Sequence, residues 1–139
     1  MEPNFNSELC LATLFKQTFE LERQECIQLS IYLPDRDLDN RRVRVRAWQK
    51  KINKKLNECF GGSSVAKVRG FYLLGHTLIK ERTLVISCYL SPERFTEGLR
   101  ELKPLLDGYF FHSRQECLLL VLADEVFYYR PARPTFEVE

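Results

Sequence analysis

The sequence predicts a compact α+β domain built from two similar, strand-first halves. Three observations predict it: apolar alternation at 26–33 and again at 84–90, an amphipathic helical stretch after each, and a short motif shared by both halves. At 139 residues the chain is long enough for one hydrophobic core without disulfides or metal. A single domain over 1–139 is expected, with its core at about 26–124 and extensions at 1–25 and 125–139.

The first half opens with Ile27, Leu29, Ile31 and Leu33 on one side of a strand that Pro34 ends, because proline cannot donate to a sheet ladder. After the acidic turn 34–40, Val45, Trp48, Ile52, Leu56 and Cys59 or Phe60 recur at helical spacing. Asp39 or Asn40 is the expected cap, and Gly61-Gly62 the left-handed stop. Residues 66–74 then read as a strand, Gly75-His76 as a hairpin turn and 78–90 as a second strand with Leu84, Ile86, Cys88 and Leu90 on one face.

The second half continues with Ser91-Pro92-Glu93 as a helix start, followed by Phe95, Leu99, Leu102, Leu106 and Tyr109 at helical spacing. Pro104 is expected to end or kink this helix near residue 103, with Gly108 as its final stop. Residues 117–122 are a continuous apolar run suited to a buried strand, which 126–129 continues or pairs back upon. The tail from Arg130, with Pro131 and Pro134, reads as irregular, and 9–22 reads either as a helix or as an edge strand.

Ser30-Ile31-Tyr32-Leu33-Pro34-Asp35-Arg36 is similar to Ser87-Cys88-Tyr89-Leu90-Ser91-Pro92-Glu93-Arg94, with one residue inserted. With strand, helix and strand repeated twice, the chain resembles the ferredoxin-like fold. That resemblance implies a two-layer βαββαβ sandwich: a four-stranded, antiparallel-rich sheet with two helices on one face, plus N- and C-terminal extensions. It also implies that the first and third strands are neighbours, with Ile31 and Cys88 facing the helices. Tyr32 and Tyr89 would then meet on the open face as a contact surface.

Composition excludes several classes. No apolar run approaches the ~20 residues of a membrane helix, and no basic start with an apolar stretch marks a secretory signal, so no membrane and a cytoplasmic location are expected. Cys10, Cys26, Cys59, Cys88 and Cys117 are odd in number and lack a CxxC pair, which argues against a disulfide framework or zinc knuckle. His76 and His112 have no metal-ligand spacing, and neither cofactor nor metal is expected.

Arg41, Arg42, Arg44, Arg46, Lys50, Lys51, Lys54 and Lys55 crowd one segment without an acidic residue. Like charges repel at helical spacing, so helix stability does not explain them, and an anionic partner does: nucleic acid or an acidic protein. The bland alternative is a solvated face in a chain of net charge +2. Aromatics on an open sheet face resemble RNA-recognition domains, and Arg69-Gly70-Phe71-Tyr72 partly resembles their motif, although it falls on the second strand. Phe127, Tyr128, Tyr129 and Phe136 are available to cover that face instead.

No phosphate-binding glycine loop, GxSxG or HExxH is present. The sequence therefore favours a non-catalytic binding or regulatory module that self-associates into a homo-oligomer and uses a basic helix. The alternative is a small metal-dependent nuclease or other enzyme of this fold using Asp35, Asp37 or Asp39, similar to the CRISPR adaptation proteins, which place a metal-binding aspartate after the first strand. Turn and capping duties account for the same aspartates. Glu81, between Lys80 and Arg82, reads either as a buried acid or as an edge-strand charge that discourages aggregation.

Overall fold

The computed structural model describes residues 5–132. Helix α1 (Phe5–Phe19) precedes β1 (Ile27–Pro34), α2 (Val45–Phe60), β2 (Ser64–Leu74) and β3 (Thr77–Leu90). A 3-10 turn, Pro92–Arg94, leads into α3 (Phe95–His112), followed by β4 (Leu118–Leu122) and β5 (Glu125–Tyr129). Among the described residues this is an α+β fold of three α-helices and one antiparallel five-stranded sheet, ordered β2-β3-β1-β4-β5. The expected four strands become five because 125–129 turns back on β4 through Ala123, whose φ of 53° makes the tight reversal.

The core lies between one sheet face and the helix pair. Leu29, Ile31 and Leu33 of β1 and Leu84, Ile86, Cys88 and Leu90 of β3 are buried against Ile52 and Leu56 of α2 and Leu102, Leu106 and Tyr109 of α3. These strand residues are the ones the two alternations predict, except Ile27, which stands exposed at the start of β1. Phe136 and Pro134 lie outside the described residues.

β1 and β3 are paired neighbours, but antiparallel. Ser30 and Ser87, the first residues of the two similar stretches, face each other with hydroxyl oxygens 3.1 Å apart. The stretches run away from that pair in opposite directions. Tyr32 therefore stands opposite Val85 and Tyr89 opposite Gln28, on the same face but about 13 Å apart along the strands at ~3.3 Å per residue. The expected tyrosine contact is corrected: strand polarity separates the two rings.

Two helix boundaries also differ. Helix α2 begins at Val45, after Arg44, with no side-chain cap, because Asp39 and Asn40 are held in the preceding loop. Helix α3 passes through Pro104 and Gly108 to His112. Pro104 and Arg100, whose carbonyl loses its helical donor, are both solvent-exposed, so the missing bond costs less there than it would in the core.

Candidate functional site

Beyond Pro34 the chain folds into a tightly bonded loop. The Asp35 amide donates to the Arg82 carbonyl (3.0 Å), the Val43 amide donates to the Asp35 carbonyl (2.9 Å), and Arg36 bridges to Arg42. One carboxylate oxygen of Asp37 accepts the amides of Asp39 and Arg41, each at 2.8 Å. The Arg41 amide is the main reason that the Asp37 carboxyl is held below its ordinary range. Asp39 pairs with Arg114 at 2.8 Å, and Gln115 donates to the Arg36 carbonyl at 2.8 Å, which fastens the loop to the end of α3. Two of the three aspartates thus build the loop, and Asp35 is left facing a cleft.

That cleft consists of adjoining hollows that share Asp35 and Arg82. One, of about 420 Å³, has Val45, Val68 and Leu84 as its apolar lining and Arg46, Lys67 and Arg69 as its polar lining. Another, of about 310 Å³, adds Arg36, Arg42, Lys80 and Glu81. A third follows residues 42–47, the N-terminal end of α2. The first turn of α2 carries no acidic residue, so no side-chain charge of that turn offsets the positive end of the helix dipole.

Strand register brings the hairpin residues here. The last β1 pair is Pro34 with Thr83, so β3 continues beyond β1, while Arg69 stands opposite Arg82 and Gly70 opposite Glu81. Glu81 is half-buried, and its carboxyl is pushed up first by burial and then by the charge of Asp35. The cleft therefore combines two carboxyl groups, one of raised pKa, with an excess of guanidinium and ammonium groups. It can hold a carboxylate beside a cationic centre.

The eight basic residues singled out in the sequence do not form one helical surface. Arg41, Arg42 and Arg44 precede α2, and Arg42, Arg44 and Arg46 line the cleft. Lys50 and Lys54 border a separate shallow groove with Gln49, Asn53 and Asn57. Lys55 pairs with Glu58 (3.4 Å) and Glu101 (3.8 Å), and the Lys51 ammonium lies 4.7 Å from the centre of the Trp48 ring. The sequence did not bring Arg36, Lys67, Arg69, Lys80 and Arg82 together as one site, although counting back from the Gly75-His76 turn places 69 opposite 82.

The remaining sequence candidates have other duties. Tyr32 is half-buried, Tyr89 is exposed, and Phe71 lies on the edge strand β2, so the described aromatics make no single stacking platform. Tyr129 bonds to Asp107. The buried thiols of Cys59 and Cys88 are pushed up by burial, the opposite of an activated nucleophile. Among the described residues no three His, Cys, Asp or Glu side chains gather to hold a metal ion.

The chain shares the fold of a phage SAM lyase. A structure of that enzyme in complex with S-methyl-5'-thioadenosine matches with a TM-score of 0.55 and 17% identity, covering 84% of this chain and 98% of the other. Its apo state matches at 0.54 and 17%, covering 81% and 97%. No protein-family model and no curated protein matches the sequence. The reading as a non-catalytic module is corrected by this likeness, since the neighbour is an enzyme and the enzyme alternative fits better. At 17% identity the likeness carries the fold, and the cleft chemistry rests on this chain's own residues. No described helix is long and apolar enough to cross a membrane.

Proposed function

We propose that this chain is an enzyme that cleaves S-adenosylmethionine in the Asp35–Arg82 cleft. The observation that carries the reading is a cleft of adjoining hollows of about 420 and 310 Å³, with Asp35 and Glu81 among arginines, on the fold of a SAM lyase. The substrate has a carboxylate, an ammonium and a sulfonium. Arg46, Arg82 and the N-terminus of α2 suit the carboxylate, while Asp35 and Glu81 suit the two cations.

Release of S-methyl-5'-thioadenosine breaks the bond between the sulfonium and the amino-acid side chain, with both electrons returning to sulfur. The four-carbon fragment makes good the deficit by losing a proton or by closing on its own carboxylate. Glu81, whose pKa lies above that of an ordinary carboxyl, suits the proton acceptor in the first route and the holder of a cation in the second.

The test is to incubate the purified chain with S-adenosylmethionine and follow S-methyl-5'-thioadenosine chromatographically. Glu81→Gln and Asp35→Asn should each lower the rate by at least ~100-fold while circular dichroism is unchanged. No product even at millimolar substrate would overturn the proposal.

The same reading takes 1–139 as one domain with a ferredoxin-like core, supported by the order β2-β3-β1-β4 and the two-fold relation about Ser30 and Ser87. Free thiols at the exposed Cys10 and Cys26 support a reducing, cytoplasmic setting. A homo-oligomer belongs to the proposal as well.

A further inference from the structure

Eight cationic side chains line the adjoining hollows of the Asp35–Arg82 cleft, against the two acids Asp35 and Glu81. The loop between β1 and α2 supplies Arg36, Arg42 and Arg44, and the first turn of α2 supplies Arg46. Lys67 and Arg69 come from β2, and Lys80 and Arg82 from β3. Among the described residues none of these cations makes an ion pair.

The sheet register sets like charges against one another. Lys67 stands opposite Leu84, Arg69 opposite Arg82 and Phe71 opposite Lys80. Opposed residues share a sheet face, as do residues two apart, so all four cations lie on the side of the buried Leu84. Like charges directly opposite destabilise a sheet, and the fold therefore does not account for them. S-adenosylmethionine does not account for them either, because its one carboxylate suits Arg46 and Arg82 and its two cationic groups leave it net positive. The surplus fits an anion of several charges.

The shape of the cleft selects the kind of anion. A nucleic-acid backbone is met by cations strung along a track, whereas these surround hollows of about 420 and 310 Å³, the size of a small-molecule site. The larger hollow has an apolar floor, with Val45 and Leu84 only 9% and 8% exposed, and the smaller is lined by charged residues alone. We propose that this cleft is also a nucleoside triphosphate site, with the nucleoside over Val45 and Leu84 and the phosphate chain on Arg42, Arg69, Lys80 and Arg82. The two ligands share an adenosyl-sized hollow, so bound nucleotide excludes S-adenosylmethionine and holds its cleavage back.

Calorimetric titration of the full chain with ATP, in EDTA and at ~50 mM salt to limit screening, should show one saturable site. Adenosine should bind at least ~100-fold more weakly than ATP, and inorganic triphosphate at least ~10-fold more weakly. Arg42→Gln with Lys80→Gln should weaken ATP at least ~10-fold, and both positions are exposed, so circular dichroism should match the parent. Lys50→Gln with Lys54→Gln, in the separate groove, should leave ATP affinity unchanged. No binding at millimolar ATP overturns the proposal, and so does an equal loss in the two double variants, which would mean diffuse attraction to net charge. Inorganic triphosphate as tight as ATP overturns it in favour of a phosphate-only site, and a single-stranded oligonucleotide tighter than ATP overturns it in favour of a nucleic-acid surface. Competition by ATP against S-adenosylmethionine cleavage is the one arm that rests on the reading above. A chain that binds ATP but releases no S-methyl-5'-thioadenosine sinks that reading and supports this one, whereas cleavage untouched by saturating ATP overturns this one.

Discussion

Tyr129 on the edge strand β5 donates its hydroxyl to the carboxylate of Asp107, a fully buried residue on α3. Lys103, one turn earlier, reaches the other carboxylate oxygen at 2.7 Å. This pairing ties the fifth strand to the helical layer. Asp107→Ala should cost about 2–3 kcal/mol, because it removes both charge-assisted bonds even though the half-exposed ammonium regains water, whereas Tyr129→Phe should cost about 1.5 kcal/mol. Urea denaturation of the two variants checks the order, and equal losses would contradict it.

Gly98 on α3 lies under the ring of Phe60 at the end of α2. A Cβ there would sit 2.3 Å from Phe60 Cζ, so the ring has to swing away. Gly98→Ala should destabilise by about 1–2 kcal/mol even though alanine favours the helix by ~1 kcal/mol. Adding Phe60→Leu should recover part of the loss in thermal unfolding. A single variant as stable as the parent would show that the helices do not need this close approach.

Glu81 sets a pH dependence. Its folded pKa is raised, by burial first and by Asp35 second, so its favourable contribution is complete below the ordinary carboxylate range and is lost as pH rises through the folded pKa. Relative to the parent, Glu81→Gln should gain stability as pH rises from acid toward neutral. Denaturant midpoints across that range test it, and a constant difference would mean that Glu81 is not desolvated.

Asp37 has the opposite sign. Its pKa is lowered, chiefly by the Arg41 amide, so its contribution is present above the unfolded value and is lost as pH falls through the folded one. Asp37→Ala should unfold at lower temperature at neutral pH, with the deficit closing in acid. Asp37→Asn, which keeps an accepting oxygen, should retain S-adenosylmethionine cleavage where Asp35→Asn loses it. Equal loss in both would move Asp37 from the loop's scaffolding into the site.

Local chemistry made much of this fold legible. The alternation in β1 and β3 identifies their buried faces, Gly61 stops α2 with φ 89°, and Gly75 turns the hairpin with φ 63°. These signals survive because each depends on a few adjacent residues. The start of α2 was misplaced because Asp37 bonds forward to Asp39 and Arg41, an alternative that capping rules do not weigh. The cleft was half visible, since Asp35, Glu81 and the arginines at 42–46 stood out, but the sequence assigned them to three separate roles.

The sequence by itself determined the two strand–helix halves, the buried sides of the central strands and the turns between them, because period and backbone conformation are local properties. Tertiary structure alone decided that β1 and β3 run antiparallel, so that Tyr32 and Tyr89 part, and that β3 outruns β1, so that Glu81 and Arg82 reach Asp35. Register and polarity depend on which strands meet across more than fifty residues of chain, and no short stretch encodes that meeting.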